Sequence, residues 1–570
     1  TISNGLVKRV FDINQNFLTI DYQNLYTGIS LLDKGNLQAD IRMALNDQYV
    51  DKDTDSDTLF DVGGTDETIP TFRYESYQIE DSTKEPFHWE YDERISPPSM
   101  KNTPWPAKGK ALIVNFKAPE SADAKFAGVK VQVRYEIYDG LPAMSKVVNV
   151  TNTGENDVVV HRMSTEVLPA PRSLQDALYM DSNMNMGNDN HDRNNGQYIF
   201  KQWEDVDEAN GLIISSYAVD AENNSAKMGK YDFENFGPNY RLKNGETFES
   251  HQLYELFRSS SYFEWQTLEV KKMYRVLFPQ TLDAPLIYHL ISSNPDTVKW
   301  GIDQAAKAGF NMVLMSFGSG ANVEDISQGN IDKFKSLTEY AHSKDILLGA
   351  YVMQAARGDQ SESNEDGTWG VMRCMNGPEA HTTLENTLKF IDATDFDCLE
   401  VDGPFPGAIC THSDHSGHEG AEDSVVKQWE YAIRDFYREL RARNVYINSP
   451  DWNFLAGANM AVMGYAEPGF NVPHAAQLIY GRQMSYYGTF EKTPAMGWTL
   501  VPLSPYGGGG DSSFWPYNER IESYDFMVGM NMMSGVIGSY RGGNGLYQEE
   551  QGKFSPSENV IETWGRFYNK

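Results

Sequence analysis

The run Asp397-Cys398-Leu399-Glu400-Val401-Asp402-Gly403-Pro404 carries one carboxylate, Asp402, to the end of a short apolar stretch and into a Gly-Pro turn. A charge is costly inside an apolar strand, so an acid at the strand's last position is expected to face a cavity. The competing reading is an ordinary turn residue, since Asp-Gly is a common turn dipeptide. Two later acids hold similar positions. Asp451 closes Asn448-Ser449-Pro450-Asp451, with Trp452 beside it to raise its pKa by desolvation, and Glu467 closes Met463-Gly464-Tyr465-Ala466-Glu467. Cleavage of a glycosidic bond with retention needs two carboxyl groups about 5–5.5 Å apart. One attacks the anomeric carbon; the other protonates the leaving oxygen and then activates water. Asp402 is the expected nucleophile. Glu467 is preferred as acid/base because its longer side chain spans more of the gap, and Asp451 is the alternative, as acid/base or hydroxyl ligand.

Other residues are candidates for substrate contact. His412, His415 and His418 recur every third residue in the segment after Asp402, a spacing that suits sugar or sulfate contact and fits no standard zinc pattern. Their alternative use is in a metal-dependent polysaccharide hydrolase or lyase. Trp452, Trp498 and Tyr540 offer aromatic faces, and Arg541 can hold an anionic substituent or close the last strand by an ion pair. Trp369 with Arg373, and the Gly-rich loop Tyr506 to Asp511, are further rim candidates. No cofactor is expected. Asp181-Ser182-Asn183-Met184-Asn185-Met186-Gly187 offers calcium-type oxygens, but its Gly comes one place late and the closing Glu is absent.

The elements that must position these groups fall into two textures. Residues 1–280 alternate apolar and polar positions, as in Val129-Lys130-Val131-Gln132-Val133 and Lys146-Val147-Val148-Asn149-Val150, between Gly, Pro, Asn and Asp clusters. That pattern predicts a large antiparallel β-sandwich. From Pro285 strand-like and helix-like runs alternate. The strands are expected at 286–290, 311–317, 346–352, 397–402, 445–451, 460–467, 495–501 and 535–540, with helices at 295–309, 331–343, 378–393, 425–443 and 560–568 among the connections. Eight strands with intervening helices predict a (β/α)8 TIM barrel over 285–570, whose sites lie at the C-terminal ends of the strands. The fold class is thus multidomain, β followed by α/β.

Bulk composition narrows the partners. With 48 basic and 80 acidic residues the net charge is −32, which disfavours nucleic acid. Aromatics make up 12 % of the chain, including 11 Trp and 32 Tyr, enough to furnish stacking platforms for carbohydrate as well as the core. No apolar run of membrane-spanning length is present. A first residue Thr1 is consistent with a removed leader, so the expected location is secreted or periplasmic. Cys374 and Cys410 fall in the connections after the third and fourth strands and can meet there, as a disulfide or as two thiols; Cys398 reads as a buried small hydrophobe.

At Glu400-Val401-Asp402-Gly403 the chain resembles the α-galactosidase superfamily of retaining glycoside hydrolases, clan D and its relatives, including α-N-acetylgalactosaminidases. The opening Ile2-Ser3-Asn4-Gly5-Leu6-Val7 and Tyr135-Glu136-Ile137-Tyr138-Asp139-Gly140-Leu141-Pro142 also look like bacterial α-galactosidase-like proteins. The resemblance implies a β-sandwich ahead of a barrel, Asp402 as nucleophile and a covalent glycosyl-enzyme intermediate. It departs from the usual pattern, since Glu-Val-Asp stands for Lys-Tyr/Trp-Asp and no second-acid motif is recognisable. Clan D places the acid after the sixth strand, implying Glu467; the relatives place it after the fifth, implying Asp451. The expected activity is that of an exo-α-glycosidase on galactose-containing glycans, with anhydro or sulfated galactose among the candidates. A non-catalytic glycan-binding protein is the alternative outside enzymology.

Overall fold

The computed structural model of the chain describes all residues except 49–56, 83–85, 170–217, 221–224, 232–237, 251, 258, 260–262, 355, 358–362, 368–369, 403–409, 411, 413–416, 450–456, 459–477, 480–497, 504–512 and 535–536. In the N-terminal half, a four-stranded antiparallel sheet runs from Ile2 to Ser30, and a 12-stranded sheet follows. The large sheet is antiparallel except where Thr58–Val62 and Thr71–Asp81 run parallel. Its long strands alternate as their sequence predicts: in Val129–Tyr138 the residues Val129, Val131 and Val133 are buried and Lys130 is exposed. Val7, Phe11 and Tyr22 of the small sheet share one core with Met43, Phe72, Val133 and Val150 of the large one, the packing of a sandwich.

A charged cluster is sealed inside this layer. Arg9, fully buried, donates to Glu166 at 2.8 and 2.9 Å and to Asp40 at 2.6 Å. Lys146 lies 3.3 Å from Glu166, and Tyr22 donates to Glu255 at 2.8 Å. Burial beside Glu166 pushes the Glu255 carboxyl up to about 7, whereas the buried Asp40, next to Arg9 and Lys146, is held below the usual carboxylate range.

The stretch before Pro285 is not all β. Phe263–Leu277 is a helix whose Met273, Tyr274 and Leu277 pack on Tyr138, Leu141 and Tyr254. Its apolar residues recur at helical spacing, a period masked by the alternating segments upstream.

Beyond it, seven strands form one parallel sheet in the order Tyr446–Asn448, Cys398–Asp402, Leu347–Met353, Met312–Met315, Ile287–Leu290, Ile537–Gly542, Trp498–Pro502. These are the expected fifth, fourth, third, second, first, eighth and seventh strands. The expected sixth, 460–467, lies outside the described residues and falls in chain order between the two edge strands. Helices Pro295–Ala308, Gln328–His342, Pro378–Thr394 and Pro556–Tyr568 appear where the apolar spacing predicts them. The first is started by Asn294, whose side chain accepts from the N–H groups of Asp296 and Thr297, with Pro295 in its first turn. The expected helix over 425–443 is Ala421–Trp429 and Phe436–Ala442, joined by a wider π turn at Glu430–Asp435. A small sheet of Ala356–Arg357, Ser363–Gly367 and Gly370–Arg373 decorates the connection after the third strand; its polar sequence gives no strand signal.

Candidate active site

Paired residues of parallel strands face the same side, so the register sorts every side chain of the seven-stranded sheet. One side packs against the helices: Tyr288, Leu290, Val313, Leu348, Leu399, Val401 and Tyr540 join Val298, Ile302, Phe334 and Leu337 in the main core. The other side changes character along the strands. Near the N-terminal ends it is apolar, with Ile287, Met312, Leu347, Cys398 and Tyr446 in one cluster. Close approach there excludes a larger residue at Gly349, where a Cβ would stand 2.2 Å from the Cys398 carbonyl oxygen. Toward the C-terminal ends the same side is polar yet buried, carrying His289, Glu400, Asp402, Asn448 and Arg541. Buried polar groups cost stability, and their concentration at one end of a parallel sheet marks where the fold places its chemistry.

Asp402 is the last residue of its strand and only 7 % exposed. Tyr351, opposite Glu400 in the register, donates its hydroxyl to Asp402 Oδ2. The Tyr351 ring is held against Phe317 at 5.4 Å, edge to face, which orients the hydroxyl. The Asp402 backbone carbonyl accepts from Gln354 N at 3.0 Å. A fixed hydroxyl donor holds the carboxylate in one orientation.

Below Asp402 lies Glu400, 4 % exposed, with Oε2 3.6 Å from His289 Nδ1. Burial, and then the positive charge of Arg541, push the His289 pKa well below its ordinary value. The imidazole is therefore neutral near pH 7, so the contact is no ion pair, and at 3.6 Å it is too long for a hydrogen bond. Arg541 donates from Nε to Ser316 Oγ at 2.7 Å and from Nη2 to the Phe317 carbonyl at 2.9 Å. It thus ties the eighth strand to the end of the second. Asn448 and Gln354 are fully buried or nearly so, and both atoms of each side-chain amide lack hydrogen-bond partners among the described residues. A buried amide left in that state is costly unless it serves a ligand.

The structure brings together Asp402 and Arg541 of the expected residues, on one face and at one end of the sheet. Tyr540 does not join them. It is one residue out of phase with Arg541 and lies buried on the helix side, its ring 5.2 Å from that of Phe310. Trp498 begins its strand and so stands at the N-terminal end, opposite the Asp402 end. Asp451, Trp452, Glu467, His415, Trp369, the 506–511 loop and the 181–187 segment lie outside the described residues. His412 is half-buried, whereas His418 is buried beside Cys374 and Cys410, which stand together as thiols and not as a disulfide. Sequence reasoning passed over Tyr351, Gln354, Asn448, Ser316 and His289. For His289 and Asn448 the signal was a polar residue at the last inward position of an otherwise apolar strand; Ser316 and Gln354 follow their strands and Tyr351 precedes Met353 on the same face, so no such signal marks them. A cavity of about 540 Å³ lined by Trp89, Asp92, Arg94, Asp283, Asp397 and Tyr446 lies at the opposite, N-terminal ends of the strands, away from Asp402.

Neither a protein-family profile nor a curated protein matches this chain in sequence. Solved structures do match it in fold. The α-galactosidase from Lactobacillus brevis superposes with a TM-score of 0.59 at 12% identity, over 100% of this chain and 82% of that one. The galactosidase domain of the α-galactosidase–sucrose kinase AgaSK gives 0.56 at 12% identity, over 99% and 83%. A variant of the GH36 α-galactosidase AgaA from Geobacillus stearothermophilus, in complex with raffinose, gives 0.54 at 11% identity, over 88% and 73%. The chain has the α-galactosidase fold. At these identities the likeness is one of architecture, and it extends from the N-terminal sheets through the parallel sheet. No helix among the described residues is long and apolar enough to cross a membrane.

Proposed function

We propose that the chain is a retaining exo-α-glycosidase of the α-galactosidase type. The observation that carries this reading is Asp402, a buried acid at the end of the fourth parallel strand of an α-galactosidase-like fold, held by the Tyr351 hydroxyl. In this reading the sheet closes into a (β/α)8 barrel, with 460–467 supplying the sixth strand between Tyr446–Asn448 and Trp498–Pro502. The barrel occupies 285–570 and the sandwich 1–280.

Asp402 attacks the anomeric carbon of a terminal α-galactoside as the glycosidic bond breaks, giving a β-linked glycosyl-enzyme ester. Glu467, or Asp451 in its place, protonates the departing oxygen and then takes a proton from the water that hydrolyses the ester. Tyr351 keeps Asp402 aimed. Asn448 and Gln354 are assigned to sugar hydroxyls. Galactose-containing glycans, anhydro and sulfated ones included, are the proposed substrates, met outside the cytoplasm. Raffinose, bound to the AgaA variant, ends in an α-galactoside and is a natural first test.

The experiment is Asp402→Asn, assayed on aryl α-galactosides and raffinose. Loss of nearly all turnover with an unchanged melting temperature supports the reading; wild-type rates would overturn it.

A further inference from the structure

Cys374, Cys410 and His418 come from two separate connections, yet their potential ligand atoms all lie within 4.8 Å of one another, and all three residues are buried. Cys374 sits between strand Gly370–Arg373 and helix Pro378–Thr394. Cys410 and His418 belong to the segment between Asp402 and helix Ala421–Trp429. We propose that these three side chains bind a zinc-class divalent ion that clasps the connections after the third and fourth parallel strands.

The chemistry of the set is that of a zinc centre, two thiolates and one imidazole, with a fourth ligand from solvent. Tetrahedral zinc with Zn–S near 2.3 Å puts two sulfurs about 3.8 Å apart, so the ligand atoms need to converge by about 1 Å at most. Each side chain is already oriented for the task. His418 Nδ1 lies 2.9 Å from the Gly420 carbonyl, which can only accept; the proton is therefore on Nδ1 and the lone pair on Nε2. Asn376 N–H donates to Cys374 Sγ at 3.4 Å, which fixes the position of the sulfur.

The surrounding backbone is tied down. Cys410 N–H donates to Ser424 Oγ at 3.0 Å, and Met375 N–H to Gln428 Oε1 at 2.7 Å. The fully buried Asp423 carboxylate accepts from Glu419 N and from Gly420 N at 2.9 Å. Ser424, Gln428 and Asp423 all belong to helix Ala421–Trp429, so one helix fixes both connections. Gly417 has φ +120°, and a Cβ there would meet Asn376 Cβ at 2.7 Å, so the two connections touch beside the cluster. A disulfide would use only the two sulfurs and leave the preset imidazole without a purpose. Of the three His singled out by spacing, the cluster takes His418 alone, and its two partners are sulfurs.

Binding converts two thiols to thiolates and releases their two protons to solvent. The three ligands join the connections that follow the third and fourth strands, so the role of the ion is to hold those connections in place; the site stands whether or not Asp402 is the nucleophile.

The test uses the full chain, purified without chelator, stripped, and reloaded with zinc or cobalt(II). Expected are about one zinc per chain, a higher melting temperature with zinc than without, and thiolate-to-cobalt charge-transfer absorption with tetrahedral d–d bands. Cys410→Ser and His418→Ala should each weaken cobalt binding at least tenfold. Should either variant fail to fold, the cobalt spectrum of the wild-type chain still decides. Absence of bound zinc together with absence of thiolate–cobalt absorption in the wild type overturns the proposal. Thiol titration of the unfolded chain would then separate a Cys374–Cys410 disulfide from two unused thiols.

Discussion

Replacing Tyr351 by Phe removes one oxygen and leaves the ring. The Tyr351 hydroxyl donates to Asp402 Oδ2, while its ring packs edge to face on Phe317. A hydrogen bond to a charged group contributes about 1.5–3 kcal/mol. Its loss should leave the Asp402 carboxylate less ordered and its charge less well stabilised. Because the donor favours the ionised form, the acid limb of kcat/KM should move toward neutrality. On an aryl α-galactoside at the wild-type optimum, kcat/KM should fall about 10- to 100-fold, and the retained ring should keep the melting temperature within a few degrees. The assay is a kcat/KM profile from pH 4 to 8 for both proteins, with thermal unfolding alongside. An acid limb that does not move, with rates within twofold of wild type, would refute the role given to Tyr351.

Asn448→Leu should leave stability unchanged or improved, since a buried amide without a partner among the described residues is exchanged for an apolar side chain of similar size, while KM rises at least tenfold; urea unfolding and initial rates check both. Tyr540→Phe should change neither activity nor stability measurably, because its ring faces Phe310 on the helix side and its hydroxyl has no partner among the described residues. Glu255 keeps a proton in the folded chain between about pH 4.5 and 7 that the unfolded chain has shed, so its contribution is complete below pH 4.5 and is lost as pH rises through 7. Glu255→Gln should therefore flatten the fall in stability between pH 5 and 8 by up to about 3 kcal/mol, read by urea unfolding at both pH values.

The sequence reports a side chain's burial and period better than its depth. The parallel strands were legible because each is a short apolar run bracketed by turn residues, and helix Pro295–Ala308 because Asn294-Pro295 is a strong start signal. Asp402 was legible for the same reason, as a charge that no apolar strand tolerates without a use. Tyr351, Asn448 and Arg541 gather around the sheet's polar end only because register brings positions up to about 190 residues apart onto one face, which no local pattern encodes. Tyr540 shows the same limit from the other side. Adjacent to Arg541 in sequence, it points to the helix layer because strand side chains alternate. The cluster of Cys374, Cys410 and His418 was half legible: the two cysteines fall in connections that can meet, but the histidine joining them depends on how helix Ala421–Trp429 anchors both connections.

The central claim is that Asp402 forms the covalent bond to the sugar. Incubation with a fluorinated α-galactosyl inactivator, followed by proteolysis and mass spectrometry, tests it directly. The expected result is one glycosylated peptide with the sugar on Asp402, and no labelling of Asp402→Asn. A label on any other carboxylate, or inactivation of the variant at the wild-type rate, would contradict it.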